Sequence, residues 1–441
     1  MRPIWYRPIH EIRELMFSGK ITSVELTRMY LQRIAALDGK DGLNTIAELD
    51  PSALEQAAAA DRNGLKGPLA GMPFLIKDNI DVAGLHTTAG SRALKDHIAK
   101  EDAPAVAALR RAGAVILGKT NMTEFANFTT RGMPGGYSSY GGQVLHAYDR
   151  ERNPSGSSSG SAVAISAGLC AAALGTDTSF SVVGCATEHG ICGFKPAMGT
   201  LSQQGIVPIS HTQDSVGILA RDMKDVMTVY DAMRDAPLPD IKPLPPQSLK
   251  LAVNTANRDM VSKAQMLRYN RLIKRMKAEG VTVSEVTQMP TPAQIRVMTW
   301  EFGPGLEKYL ASAGDAPRTL RQIVDFYRAD EGRMKYGISL LEDALQAMEN
   351  PDHSDYEKAM EERERLYTAV RDELKSFDAC MVTGPTNICH FVGMPSVSVP
   401  FCMAADGCPR SVILYGADEE RLLSAALTME TFSGKIRPPK L

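Results

Sequence analysis

One stretch near the middle of the chain, residues 153–186, limits the folds that this sequence can adopt. It reads N-P-S-G-S-S-S-G-S-A-V-A-I-S-A-G-L-C-A-A-A-L-G-T-D-T-S-F-S-V-V-G-C-A. A serine–glycine loop (155–161) leads into an apolar segment of mostly small residues (162–174), and a second hydroxyl-rich turn (176–181) follows. Small residues let backbone N–H groups approach a ligand closely. We therefore interpret the two loops as a catalytic pair that flanks one buried element. A flexible linker is the alternative, but linkers do not normally continue directly into an apolar core segment.

Length and charge favour an ordinary globular protein that acts on a small molecule. The chain has 441 residues, enough for one large α/β domain or for two domains. It is 44% hydrophobic and 23% charged, which is typical of a globular protein. A formal net charge of -2 without a long basic run argues against a protein built to hold nucleic acid.

The cysteines and the N-terminal residues bear on the cellular location. The seven cysteines are odd in number and form no C-x-x-C pair, so we expect neither a disulfide framework nor a zinc site. Their apolar or glycine neighbours favour buried free thiols in a reducing compartment. The charged N-terminus has no apolar signal region, and a cytoplasmic location is expected. Residues 154–176 are uncharged, but serine and glycine fill their first half, so no membrane helix is predicted.

Predicted helices and strands alternate along the chain, which indicates an α/β fold. Thr22 and Glu25 form a capping box for the second helix, and a proline-rich stretch at 237–246 is the strongest linker signal. Helices are predicted at 8–17, 24–37, 52–62, 102–112, 122–128, 222–233, 263–279, repeatedly within 294–377, and at 419–432. Strands are predicted at 45–49, 74–76, 114–117, 206–209, 249–253, 281–286, 380–382, 396–399 and 412–414.

Residues 113–120 match the phosphate-loop pattern G-x-x-x-x-G-K-T by the letter. The middle of the match is four apolar residues of a predicted strand, whereas a phosphate loop needs an exposed turn after the strand. We therefore interpret the match as fortuitous.

A serine nucleophile needs a base, and histidine is the usual partner. His189 follows the second serine cluster, but a nearby histidine is more often structural. A lysine kept neutral by burial is the other option. Lys77 is the best-placed candidate because it follows the apolar run 74–76, and ligands bind at the carboxyl ends of strands in open α/β sheets. A surface lysine after a strand is the alternative interpretation of Lys77 alone.

Several further motifs join Lys77 in one order along the chain, and together they resemble the amidase signature family. The motifs are G-P-L-A-G-M-P-F-L-I-K-D-N-I (67–80), G-K-T-N-M-T-E-F-A-N-F (118–128), G-S-S-S-G-S-A (156–162), G-T-D-T-S-F-S (175–181), G-F-K-P-A-M-G (193–199), G-I-V-P-I-S-H-T-Q-D (205–214) and G-M-P-S-V-S-V-P (393–400). The resemblance runs from about residue 43 to 431 and is weakest at 237–377. Gly-Gly-Gln at 141–143, the serine loop and P-I-S-H-T-Q-D look most like the peptide amidases, which remove the C-terminal amide of peptides.

The resemblance implies a single α/β domain spanning 1–441, with a large mixed sheet surrounded by helices and a more variable helical insert at about 237–377. It also implies a Ser-cis-Ser-Lys triad. Lys77 matches the family's base, Ser157 the bridging serine and Ser181 the nucleophile. The backbone of Thr178, Ser179, Phe180 and Ser181 would hold the oxyanion, and the reaction would need no metal or organic cofactor. The expected substrate is a small-molecule or peptide amide.

This sequence departs from the family pattern at three places. Ser179-Phe180 stands where the family usually has Gly-Gly, Gly184-Cys185-Ala186 stands where peptide amidases tend to have Cys-Pro-Ala, and residues 144–148 lack the usual Asn-Pro. Two alternatives to an amide hydrolase therefore stay open. One is the A subunit of a glutamine-dependent tRNA amidotransferase, and the other is a catalytically impaired homologue that only binds its ligand. The sequence does not fix the substrate or the oligomeric state, and a homodimer stays open.

Overall fold

An eleven-stranded sheet surrounded by helices forms the framework of the protein. The structure, a computed structural model, describes residues 2–39, 41–311 and 317–441. The strands are β1 (Ile46–Leu49), β2 (Pro73–Lys77), β3 (Val115–Thr120), β4 (Tyr137–Ser138), β5 (Gly142–Gln143), β6 (Ala172–Asp177), β7 (Cys192–Lys195), β8 (Ser215–Ala220), β9 (Lys250–Asn254), β10 (Thr282–Val286), β11 (Ala379–Val382), β12 (Ser396–Met403) and β13 (Pro409–Tyr415).

The helices alternate with these strands along much of the chain. They are α1 (Ile9–Phe17), α2 (Ser23–Leu37), α3 (Ala53–Arg62), α4 (Pro104–Arg111), α5 (Ser159–Ala167), α6 (Val183–His189), α7 (Met223–Met233), α8 (Lys263–Ala278), α9 (Ala293–Leu310), α10 (Leu320–Arg328), α11 (Ser339–Glu349), α12 (Ser354–Leu374), α13 (Ile388–Phe391) and α14 (Glu419–Thr431). The capping box predicted for α2 is confirmed, because Thr22 Oγ1 accepts from the Glu25 N–H while the Thr22 N–H donates to the Glu25 carboxylate.

The sheet is mixed, as the sequence predicts. Its strand order is β1-β3-β2-β6-β8-β7-β12-β13-β11-β9-β10, and the small hairpin of β4 and β5 is separate. Strands β3, β2 and β6 are parallel to one another, as are β11, β9 and β10. The pairs between these two parallel groups are antiparallel. The predicted α/β class is therefore confirmed.

The central stretch folds into two buried elements, so the prediction of one element across 162–174 is wrong. Helix α5 ends where Gly168 takes a left-handed backbone conformation, with φ 72°, and β6 begins four residues later. All residues of α5 are buried. A Cβ on Gly160 would lie 2.3 Å from the Asn121 carbonyl oxygen and 2.6 Å from that of Thr45. Glycine is therefore needed for α5 to pack this closely on neighbouring backbone.

Two other sequence predictions need correction. Residues 206–209 form no strand and make only an isolated bridge between Ile206 and Ile80. Pro208 has no N–H for a strand ladder, and the strand of this region is β8, between β6 and β7. The helix predicted at 122–128 is a short turn at Glu124–Asn127 in which Phe125 and Ala126 have positive φ. Their side chains still pack in an apolar cluster with α9, α10 and α11.

The remaining predictions concern the phosphate-loop match, the cysteines and the C-terminal helices. Six of the eight matched residues, 115–120, form the fully buried strand β3, not an exposed loop. All seven cysteines are free, and all except Cys402 are buried. Four helices, α9 to α12, occupy the helical region predicted at 294–377, whose residues 312–316 lie outside the described ranges. Within the described ranges, the helices are too short or too polar to cross a bilayer.

Candidate active site

Lys77 is the last residue of β2, and its side chain is completely buried. Its Nζ lies 2.7 Å from Ser157 Oγ, 2.8 Å from Thr176 Oγ1 and 3.3 Å from the Thr176 carbonyl oxygen. Burial lowers the pKa of Lys77 to about 7, although nearby acidic groups oppose the shift. A lysine must lose its proton before it can act as a base, and this environment makes that possible near neutral pH.

Ser157 lies in the serine–glycine loop that leads into α5, and it is also completely buried. The peptide bond between Gly156 and Ser157 is cis. The Ser157 carbonyl oxygen accepts a hydrogen bond from the Thr123 N–H at 3.1 Å. The segment after β3 thus supports the loop in which Ser157 contacts Lys77.

Ser181 lies in the turn between β6 and α6 and is 6% exposed. Its carbonyl oxygen accepts a hydrogen bond from the Ser158 N–H at 3.2 Å. Within the described part of the chain, the Ser181 hydroxyl forms no hydrogen bond, including none with Ser157. The structure therefore brings Lys77 and Ser157 into direct contact, and it ties Ser181 to the same loop through the backbone.

The turn formed by residues 178–181, here called the nucleophile turn, offers backbone donors beside Ser181. Among the residues that the structure describes, the N–H groups of Ser179, Phe180 and Ser181 have no hydrogen-bond acceptor. Ser181 is buried and Ser179 and Phe180 are half-buried, so these N–H groups are available to a ligand or to water. Donors of this type could stabilise a negative oxygen that develops on a substrate attacked at Ser181.

Side chains from other elements hold the first half of the nucleophile turn. The Thr178 hydroxyl donates to Asp214 Oδ1 at 2.5 Å, and the Ser179 hydroxyl donates to Gln294 Oε1 at 3.3 Å. Gln294 Nε2 in turn lies 3.4 Å from the Thr178 carbonyl oxygen. Burial raises the pKa of Asp214 to about 6. The turn is thus attached both to the start of β8 and to α9.

Phe180 adopts the backbone conformation that glycine favours, with φ 64°. Its ring lies against the imidazole of His390, with the ring centroids 4.0 Å apart and the planes at 47°. It also packs against the apolar cluster that contains Ile388 and Cys389. A phenylalanine at a position that is usually glycine is therefore accommodated by contacts with α13.

A buried carboxylate supports the two residues that follow the nucleophile turn. Asp177 Oδ2 accepts hydrogen bonds from the N–H groups of Val182 at 2.7 Å and Val183 at 3.2 Å. Asp177 Oδ1 lies 3.3 Å from His390 Nε2. Burial acts to raise the pKa of Asp177, but the charge of His390 and these hydrogen bonds lower it to about 2.

His390 is completely buried, yet its surroundings favour the charged ring. Burial acts to lower its pKa, but Cys389 and the Asp177 carboxylate together raise it to about 9. His189, by contrast, stacks on His146 and contacts the Pro154 carbonyl oxygen, and burial lowers its pKa well below the usual range. These contacts of His189 do not involve the serine hydroxyls, in agreement with its structural interpretation.

Sequence reasoning missed five residues that contact the site. They are Thr176, Asp177, Asp214, Gln294 and His390. Thr176 and Asp177 directly precede the predicted residue Thr178, and this position was the available signal. Asp214 is the last residue of the motif at 205–214, which was its one signal. Gln294 and His390 carry no comparable signal, because only the fold brings α9 and α13 to the nucleophile turn.

A cavity of about 980 Å³ reaches this region from one side. Its wall includes Thr176 and Asp214, which contact Lys77 and Thr178 respectively, but it does not include Ser181. Charged residues of both signs, including Asp81 and Lys308, line other parts of the wall. The volume is in the range of small-molecule sites in proteins.

Comparison with known proteins shows which family the chain resembles over most of its length. Residues 25–390 match the family model described as Amidase. A probable amidase of Arabidopsis thaliana is 31% identical, and the match covers 98% of this chain and 91% of that protein. The solved structure of the native peptide amidase from Stenotrophomonas maltophilia superposes with a TM-score of 0.87 at 30% identity, covering 98% of both chains.

Another relative matches over a shorter length. It is the A subunit of the glutamyl-tRNA(Gln) amidotransferase of Methylobacillus flagellatus, which is 41% identical over 229 residues. That match covers 51% of this chain and 45% of the relative, so the similarity is limited to about half of each protein.

Proposed function

The chain belongs to the amidase family and is a hydrolase of amide C–N bonds, and on that basis we propose that it cleaves carboxamides to carboxylate and ammonia through Ser181, Ser157 and Lys77. The main support for the proposal is the hydrogen bond of 2.7 Å between Lys77 Nζ and Ser157 Oγ. Both side chains are completely buried. This contact provides a base with a pKa of about 7, which is neutral in a large fraction of molecules at that pH, and a hydroxyl that can pass a proton to it.

In the first half of the reaction, Ser181 Oγ forms a bond to the amide carbonyl carbon. The Ser181 proton passes to Ser157 as the Ser157 proton passes to Lys77. The carbonyl oxygen takes up negative charge, which the N–H groups of the nucleophile turn stabilise. The C–N bond then breaks, and the Lys77 ammonium returns a proton through Ser157 to the leaving nitrogen. The products of this half are ammonia and an ester on Ser181.

In the second half, water attacks the ester carbon and loses its proton to the same relay. The bond to Ser181 breaks, Ser181 regains its proton, and the carboxylic acid leaves as carboxylate. Lys77 therefore acts first as base and then as acid in each half, which suits a group whose pKa is near the working pH.

For the substrate we propose a primary amide, with the C-terminal amide of a peptide as the first candidate. The likeness to the peptide amidase over 98% of both chains supports this class, as do the three motifs that resemble those enzymes. The amidotransferase is less favoured, because its match covers about half of this chain. The partners of Phe180 argue against an impaired homologue, since they leave the N–H groups of the turn without internal acceptors among the described residues.

The test is a screen of amides with purified protein. The panel contains amidated peptides, the same peptides with free carboxylates, alkyl and aryl primary amides, and glutamine, with ammonia release as the readout. Ammonia release from amidated peptides, abolished by Ser181→Ala but retained in Ser166→Ala, supports the proposal. Release from glutamine alone would favour the amidotransferase, and no release from any amide would contradict a hydrolase of this class of substrate.

A further inference from the structure

Asp177 and His390 depend on each other in the interior. Both are completely buried, and their facing atoms, Asp177 Oδ1 and His390 Nε2, lie 3.3 Å apart. Among the described residues neither atom has a hydrogen-bond partner, so the ion pair is their one polar contact. A buried charge without a partner is costly, so each residue is stable in its charged form only while the other is present.

The second nitrogen of His390 also has a close neighbour. His390 Nδ1 lies 3.2 Å from Cys389 Sγ. A charged imidazole carries a proton on both nitrogens, so Nδ1 can donate to this sulfur while the positive ring faces the Asp177 carboxylate at ion-pair distance.

The same histidine acts on both sides of Ser181, directly on one side and through Asp177 on the other. On the N-terminal side, the face of its ring supports Phe180. On the C-terminal side, its partner Asp177 accepts the N–H groups of Val182 and Val183. One side chain on α13 therefore links the residue before Ser181 to the two residues after it.

We propose that His390 is a positioning residue: as an ion pair with Asp177 and a support for Phe180, it holds the nucleophile turn in the conformation that reacts. This inference rests on the proposed function of Ser181. The proposal also explains why phenylalanine stands at position 180, where the family pattern has glycine. A glycine would have no ring for the imidazole of His390 to contact. His390 itself does not touch the substrate.

The proposal has a consequence for the pH dependence. The ionisable groups that face the pair are Lys77 on β2, Cys185 on α6, Lys195 on β7 and Cys389 on α13. The raised pKa of His390 means that its ion pair is fully formed below its ordinary value of about 6.5 and is lost as the pH rises through about 9. Lys77 becomes active as the pH rises through about 7. Activity should therefore have an acid limb from Lys77 and an alkaline limb from His390.

The test compares His390→Gln with wild type and with His146→Gln, which changes another buried histidine outside the nucleophile turn. The kcat and KM for a small primary amide are measured from pH 5 to 10. For His390→Gln we expect kcat to fall about 10- to 100-fold at pH 8, because Ser181 would no longer be held in its reactive position. The KM should change less than about threefold. The alkaline limb should disappear, while the acid limb stays. His146→Gln should retain both limbs.

Hydrogen exchange at pH 7 tests the positioning without any substrate. The amides of Val182 and Val183 should exchange at least about tenfold faster in His390→Gln than in wild type, because their acceptor is no longer held. The same amides should be unchanged in His146→Gln. Unaltered exchange and an unaltered pH profile in His390→Gln would overturn the proposal while leaving amide hydrolysis intact. Faster exchange in a protein that hydrolyses no amide would support the positioning role and contradict the proposed function.

Discussion

The Nζ of Lys77 lies 2.7 Å from the Oγ of Ser157, and both side chains are completely buried. Burial stabilises the neutral amine over the ammonium ion, which lowers the pKa of Lys77 to about 7. The protein therefore holds a base next to a hydroxyl, and the following residue, Ser158, donates its N–H to the Ser181 carbonyl oxygen. The consequences of this contact can be measured.

The first prediction concerns pH. Because only the neutral amine accepts a proton, kcat/KM should rise as the pH passes through an apparent pKa of about 7. Lys77→Met should lower kcat by at least about a hundredfold at pH 8. The measurement is a pH–rate profile on a substrate without ionisable groups in this range. A profile that is flat from pH 5 to 8 would show that Lys77 is not the base.

The second prediction separates Ser157 from its neighbour. Ser157→Ala removes the hydroxyl in contact with Lys77 and should lower kcat about 10²- to 10⁴-fold. Ser158→Ala is the matched control, since the Ser158 hydroxyl is equally buried and donates to the Thr176 carbonyl oxygen. The control should retain kcat within about tenfold. Equal losses in the two variants would mean that packing, not proton transfer, explains the role of Ser157.

The third prediction concerns Phe180 and uses two variants. Phe180→Gly and Phe180→Ala both remove the ring, but only alanine keeps a Cβ at a φ of 64°. Glycine should therefore be the more stable of the two by about 1 kcal/mol in urea unfolding. Turnover of a small amide should stay within about tenfold of wild type in Phe180→Gly, because glycine tolerates the existing backbone. A gain above tenfold would instead indicate that Phe180 distorts the native turn.

The fourth prediction tests the capping box of α2. Thr22→Ala removes the side-chain acceptor of the Glu25 N–H and should lower the free energy of unfolding by about 1 kcal/mol. Thr228→Ala is the control, because Thr228 lies inside α7, where alanine is favourable. Both variants should keep wild-type activity. Equal stability of Thr22→Ala and wild type would contradict the capping role.

Local patterns predicted the elements and part of the site. The apolar run before Lys77 predicted a buried strand that ends at this residue, and β2 is that strand. Strand β8 was missed because S-V-G-I-L-A mixes serine and glycine with its apolar residues, whereas the nearby run 206–209 is apolar throughout but contains a proline. Strand β8 pairs with β6 on one side and with β7 on the other. A single sequence does not reveal this pairing, which explains why residues 215–220 form the strand and residues 206–209 do not.

Contacts between distant parts of the chain explain why the rest of the site was not predicted. Asp177 and His390 meet only because β6 and α13 come together in the fold. The left-handed backbone conformation of Phe180 could not be predicted from the sequence either, because phenylalanine has no intrinsic preference for it. The residues proposed to carry chemistry were thus accessible from motifs, and the residues that contact and position them were not.

The most direct test of the central claim is the site of covalent modification by a fluorophosphonate probe. The wild-type protein should be labelled once, on Ser181, as shown by mass spectrometry of its peptides. Labelling should be lost in Ser181→Ala and much slower in Lys77→Met, because the relay activates the nucleophile. A label on Ser157 or Ser179, or labelling of Lys77→Met at the wild-type rate, would contradict Ser181 as a nucleophile activated by Lys77.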